Sequence, residues 1–188
     1  MTSFTRNAIK ESFLKLLNER SLDKITVKDI VEDCGINRNS FYYHFADIPT
    51  LIGEIVTDSA DRIIQEHAGA DSLEECLSAA VQFALQNKRA VMHVYRSSHR
   101  ALYEQHMLRI CQHMVTTYAK TAFGDVPIGE EDKDILIRFY KCECFGQIVE
   151  WLNSNMSYDI EAQFRRLGEL WGNMTEELVR RCIKAAEQ

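Results

Sequence analysis

Arg38, Asn39 and Ser40 stand side by side in this chain, and Tyr42, Tyr43 and His44 follow one residue later. Arginine can pair bidentately with guanine and asparagine with adenine, while serine reaches either a base edge or a phosphate. Tyrosine and histidine carry polar tips on apolar rings, which suits them to phosphate oxygens beside a groove. The chemistry on offer is hydrogen bonding to double-stranded DNA, with no covalent bond made or broken.

Such side chains need a short helix held rigidly at a tight turn. Thr26 with Asp29 three residues on forms a capping-box pair that opens a first helix. Val27, Ile30 and Val31 give that helix its buried stripe. Gly35 follows where a left-handed residue ends a helix, and Ile36 fills the gap behind it. Asn37 is a good cap for a second helix, whose first turn carries Arg38, Asn39 and Ser40. Phe41 and Phe45, four apart, point back into a core. Two short helices joined in this way make a helix-turn-helix, and a plain helical hairpin with packing aromatics is the simpler alternative.

Gly35-Ile36-Asn37 followed by Phe41-Tyr42-Tyr43-His44-Phe45 resembles the signature of the TetR/AcrR family of bacterial transcriptional regulators. The likeness runs over about residues 5 to 52, and the aromatic run after the turn is its specific part. It implies an all-α chain with an N-terminal three-helix DNA-binding unit over 1–50 and a linker helix from 47. A larger helical domain over 51–188 would bind an effector and dimerise. It implies a homodimer on a palindromic operator, a small-molecule effector, and regulation, most simply repression, of transcription. The expected DNA contacts are Thr26, Lys28, Asn37, Arg38, Asn39, Ser40, Tyr42, Tyr43 and His44. The chain departs from the family in one place: Ile48 stands where a lysine commonly grips a phosphate. Asp47 and Pro49 still make a proper helix start.

The chain of 188 residues carries a formal charge of −6. Residues 1–50 hold seven basic residues (Arg6, Lys10, Lys15, Arg20, Lys24, Lys28, Arg38) against seven acidic ones (Glu11, Glu19, Asp23, Asp29, Glu32, Asp33, Asp47), so the head is neutral. A neutral head binds DNA only where positive charge is focused on one face. Lys28 and Arg38 are expected there, joined by Arg6 and Lys10. Six cysteines are scattered without a disulfide framework or paired metal motif, and no apolar run is long enough to span a membrane. The expectation is a cytoplasmic protein with reduced thiols, no cofactor and no metal.

Beyond the head the pattern is helical almost throughout, interrupted by Pro49 and Pro127. Helices are expected over about 4–19, 47–67, 88–97, 99–123, 131–154 and 159–186, with a further one opening on a capping box at Ser72 and carrying Leu73, Cys76, Leu77, Ala80, Val81 and Ala84 at core spacing. The helix near 131–154 is apolar on two sides. Ile135, Phe139, Cys142, Gly146 and Val149 line one; Ile137, Tyr140, Cys144, Ile148 and Trp151 line the other. Such a helix must be covered twice. The expected dimer interface is Tyr140, Cys144, Ile148 and Trp151 with Phe164, Leu167, Trp171 and Leu178; a thick single-chain core is the alternative. An effector pocket is expected from Tyr103, Met107, Cys111, Met114, Tyr118, Phe139 and Glu143, although core packing uses the same residue types. His99, His106 and His113 recur every seven residues, about 10 Å apart, too far to share one ion.

Two other classes compete with a DNA-binding regulator. A helical enzyme or ligand carrier lacks support, because no nucleophile elbow, phosphate-cradling loop or metal set appears. An adaptor that keeps this fold but binds protein fits the neutral head and Ile48.

Overall fold

Ile9, Phe13, Leu16 and Leu17 recur at three- and four-residue spacing, share one helix face, and are all buried. They belong to α1 (Thr2–Glu19). A 3₁₀ turn at Leu22–Lys24 leads to α2 (Val27–Cys34), α3 (Arg38–His44) and α4 (Ile48–Glu66). Then come α5 (Leu73–Gln86), α6 (Lys88–Tyr95), α7 (Arg100–Phe123), α8 (Glu130–Asn153), α9 (Ile160–Trp171) and α10 (Met174–Ala186). The computed structural model describes residues 2–66, 73–123, 126–171 and 174–186, without the side chains of 2–3, 73–76, 121–123, 171, 174–176 and 185–186. Among the described residues the chain is all-α, with no strand.

The capping box at Ser72 lies outside the described residues, as do the side chains of Leu73 and Cys76. The helix expected over 159–186 is described as α9 and α10, with Gly172 and Asn173 between them outside the described residues.

Two compact units are formed, Met1–Arg62 with Phe83–His106, and Ile63–Gln82 with Met107–Gln188. In the first, α1 packs on α2, α3 and α6. Its core is built from Ile9, Phe13, Ile30, Phe41, Phe45 and Leu51, each almost wholly buried. His93 of α6 sets its Nδ1 2.6 Å from the Leu17 carbonyl oxygen at the end of α1. Gly53 of α4 lies directly under His106 of α7: a Cβ added there would fall 2.6 Å from both Cε1 and Nε2 of the ring.

In the second unit, Cys111 and Val115 of α7 meet Cys144 of α8 in a buried cluster, with Ile137, Tyr140, Phe145 and Ile148 packed against it. Burial pushes both thiols up to about 12, so they stay protonated and behave as small apolar groups. Trp151 is 2% exposed, and its indole N–H donates to the Tyr158 carbonyl at 3.0 Å. The turn after α8 places Asn155 and Met156 at positive φ, 62° and 53°, while Met156 itself is buried.

These contacts turn one face of α8 into its own chain. The face expected at a dimer interface, Tyr140, Cys144, Ile148 and Trp151, is the one turned into its own chain. Cys144 meets Cys111, and the Trp151 donor is satisfied internally. The face expected inside carries Phe139 at 47% and Ile135 at 54% exposure, with Cys142 and Gly146 exposed beside them. On α9 and α10, Phe164, Leu167 and Leu178 are half-buried, and the Trp171 side chain lies outside the described residues.

Candidate nucleic-acid interface

Helix α3 is fixed at both ends by its own sequence. Upstream, the Thr26 N–H donates to Asp29 Oδ2 at 2.8 Å, and the Asp29 N–H donates to Thr26 Oγ1 at 3.3 Å, closing a capping box. The Thr26 hydroxyl and amide hold the Asp29 carboxyl below its usual range, with Arg20 adding attraction at 3.1 Å. Gly35 ends α2 at φ +66°, and the Ile36 N–H returns to the Val31 carbonyl at 3.0 Å. That left-handed position is where a side chain would be strained.

Asn37 then caps α3: its Oδ1 accepts the Ser40 N–H at 2.8 Å and the Ser40 hydroxyl at 3.1 Å. At the far end Asp47 starts α4, accepting the Thr50 N–H at 2.7 Å and the Thr50 hydroxyl at 2.6 Å. Between them Phe41 and Phe45 are buried with ring centroids 5.9 Å apart, which pins one side of α3 to the core. The opposite side carries Arg38, Asn39, Tyr42 and Tyr43, at i, i+1, i+4 and i+5. All four are exposed, Tyr42 at 55% and Tyr43 at 75%, and among the described residues none of these side chains has a hydrogen bond or ion pair. His44 is half-buried, edge-on to Tyr43 at 5.0 Å.

The nine expected contact residues thus separate into groups. Arg38, Asn39, Tyr42 and Tyr43 present free polar ends on one outward face. The side chains of Asn37 and Ser40 are engaged with each other, and the Thr26 hydroxyl donates to Asp29 at 2.5 Å. Lys28 is exposed, 3.7 Å from Glu32.

Arg6 and Lys10, expected to add charge to this face, are held by carboxylates of α4. Arg6 reaches Glu54 Oε2 through Nη2 at 2.5 Å and Nε at 3.1 Å. Lys10 pairs with Asp58 and lies 3.6 Å from the same Glu54 oxygen. Lys15 likewise meets Asp33 at 2.6 Å. The sequence reading did not single out Glu54 and Asp58. Their i, i+4 spacing, matching that of Arg6 and Lys10, was the available signal.

The residues expected to line an effector pocket differ in burial. Cys111 is consumed by the α7–α8 cluster, while Tyr118 and Phe139 are exposed, Phe139 edge-on to Tyr140 at 5.4 Å. Tyr103 is buried edge-on to Tyr95 at 6.3 Å, Met114 is buried, and Met107 is half-buried. Glu143 is half-buried, which raises its carboxyl, with Gln147 as a hydrogen-bond partner; Gln147 in turn accepts from Gln163 of α9 at 2.5 Å. No group of three or more metal-ligating side chains occurs among the described residues.

Residues 13–55 match the family described as bacterial regulatory proteins, tetR family. Residues 71–172, more than half of the chain, match one described as transcriptional regulator C-terminal region. The chain is 24% identical over 170 residues to the uncharacterized HTH-type transcriptional regulator YxbF of Bacillus subtilis (strain 168). That alignment takes in 86% of this chain and 43% of the relative, so the chain spans under half of that protein's length. Among solved structures it resembles the dihydroxyacetone kinase operon activator DhaS, with TM-score 0.67, 15% identity, and coverage of 95% of this chain and 96% of that one. The fatty acid degradation regulator FadR from Bacillus halodurans gives TM-score 0.50 at 14% identity, covering 88% of this chain and 93% of that one. At these identities the two structures speak for the fold.

Proposed function

The chain belongs to the tetR family of bacterial regulatory proteins and is a transcriptional regulator; from that premise we propose that it reads a palindromic operator as a homodimer. The observation that carries this reading is the outward face of α3. Arg38 and Asn39 lie in the first turn of the helix, where base edges come within reach. Tyr42 and Tyr43, one turn on, meet flanking phosphates. Phe41 and Phe45 hold the helix rigid while it does so.

The second copy docks on the outer side of α8. Ile135 and Phe139 are exposed apolar side chains there, and nothing stands within 4 Å of a Cβ built at Gly146, so another helix can come close. Residue i facing residue i across a two-fold axis matches a two-fold DNA site. A small-molecule effector acts by binding one arrangement of the two reading heads better than the other. We place its polar contact at the half-buried Glu143, whose carboxyl burial raises. Occupation of a promoter makes repression the simplest outcome, although DhaS is by its name an activator. The protein works in the cytoplasm and catalyses no reaction; among the described residues no helix is long and apolar enough to cross a membrane.

A gel shift with the DNA upstream of its own gene tests the reading. Retardation lost on Arg38→Ala supports it. No retardation of any duplex at low salt overturns it in favour of a protein-binding adaptor.

A further inference from the structure

We propose that Glu54 and Asp58 are internal competitors of DNA phosphate for Arg6 and Lys10, so that the head carries a concealed pair of cations released only against a duplex. The inference rests on the DNA-binding reading above. Two residues one turn apart on α1 face two residues one turn apart on α4, and all four charges neutralise one another. The same cations sit over the ring of Phe45, with Arg6 Cζ 5.9 Å and Lys10 Nζ 6.0 Å from its centroid. Phe45 caps the C-terminal end of α3, so both cations lie beside that end of the helix, next to its core side.

Ion pairs near the surface contribute little to stability; Arg6 is 44% and Asp58 59% exposed, although the Lys10 side chain keeps only 13%. Specificity is better served. Two uncovered cations would raise affinity for every duplex alike, because phosphate attraction carries no sequence information. Caged by carboxylates, they move to phosphates only when the docked geometry offers a better partner than Glu54 and Asp58. Arg6 is suited to the exchange, since its planar fork binds carboxylate and phosphate in the same way.

The test uses the full chain and a mixed-sequence duplex across a potassium chloride series, with circular dichroism melts of each variant. Glu54→Gln with Asp58→Asn should steepen the salt dependence by about one unit per freed cation and tighten binding about tenfold per cation at 0.1 M salt. In an Arg6→Gln/Lys10→Gln background the same two changes should leave slope and affinity unmoved. On wild-type protein, the Arg6 Nε–H resonance should shift when duplex is added. An equal gain with Arg6 and Lys10 removed would show plain through-space repulsion and overturn the proposal. So would an unchanged slope with a lowered melt, or an unmoved Arg6 resonance in a bound complex. Failure of wild type to bind any duplex would sink the DNA reading and this proposal together, whereas binding without these effects sinks the proposal alone.

Discussion

The imidazole of His106 occupies the space that any side chain on Gly53 would need, 2.6 Å from where its Cβ would stand. Real Cβ atoms do not approach so closely, so Gly53→Ala must displace the ring. We expect it to destabilise the protein by about 1 kcal/mol net, overpacking outweighing alanine's better helix propensity. In a His106→Ala background the same change should stabilise by up to about 1 kcal/mol, because only propensity remains. A urea double-mutant cycle reads both signs, and a Gly53→Ala effect of the same sign in both backgrounds would show that the contact is not the cause.

Thr26 and Asp29 make a stability that acid removes. Thr26→Ala should cost about 1 kcal/mol, the usual range for a lost N-cap. The Thr26 hydrogen bonds hold the folded Asp29 carboxyl below its ordinary 3.8, so the unfolded chain takes up this proton first. Its contribution is therefore complete above that ordinary value and fades as pH falls through the depressed one; Asp47, held down by Thr50, behaves alike. Melts between pH 7 and 3 should fall more steeply for wild type than for Thr26→Ala. Parallel curves would show that the capping box is not what acid titrates.

The two faces of α8 should respond oppositely to charge. Cys144→Asp places a carboxylate in a buried apolar cluster and should cost several kcal/mol, lowering the melt sharply. Phe139→Asp, on the exposed face, should leave the melt of the single chain intact while light scattering shows monomers. A Phe139→Asp dimer at micromolar concentration would place the self-association surface elsewhere.

Base reading and phosphate gripping should separate on α3 and α4. Arg38→Ala should lose about 1–3 kcal/mol on the cognate site and relax base preference at one position per half-site. Tyr42→Phe should weaken all sequences equally. Ile48→Lys adds a cation at the start of α4 and should tighten binding on every duplex while steepening the salt dependence by about one unit. Footprinting combined with filter binding distinguishes these. A Tyr42→Phe change confined to base preference would mean that the helix docks differently.

What was legible in the sequence was what local chemistry decides. The Thr26–Asp29 box, the left-handed Gly35, the Asn37 cap and the burial of Phe41 and Phe45 each depend on residues within a few positions, and all stand as expected. The inward face of α8 was not legible, because both of its sides are apolar and the choice is made by Cys111 and Val115, more than twenty residues away. Charge misled for the same reason. Arg6 and Lys10 count as cations in a tally of the head, yet their partners Glu54 and Asp58 come from another helix. Nor does the seven-residue histidine spacing reveal that His106 rests on a glycine.

The mutual bond between Asn37 and Ser40 has a consequence for how much an operator can spell. With Asn37 Oδ1 and the Ser40 hydroxyl proton engaged, Arg38 and Asn39 are the main base-specific letters of the proposed reading face, about two base pairs per half-site. A fixed two-letter word recurs by chance about once in sixteen positions, and a spaced pair of them about once in 256, against a million or more competing sites. So small a vocabulary cannot find one promoter by spelling. Most of the discrimination must come from the distance between the two words and the ease with which the DNA between them bends. Such a protein is less a reader than a ruler.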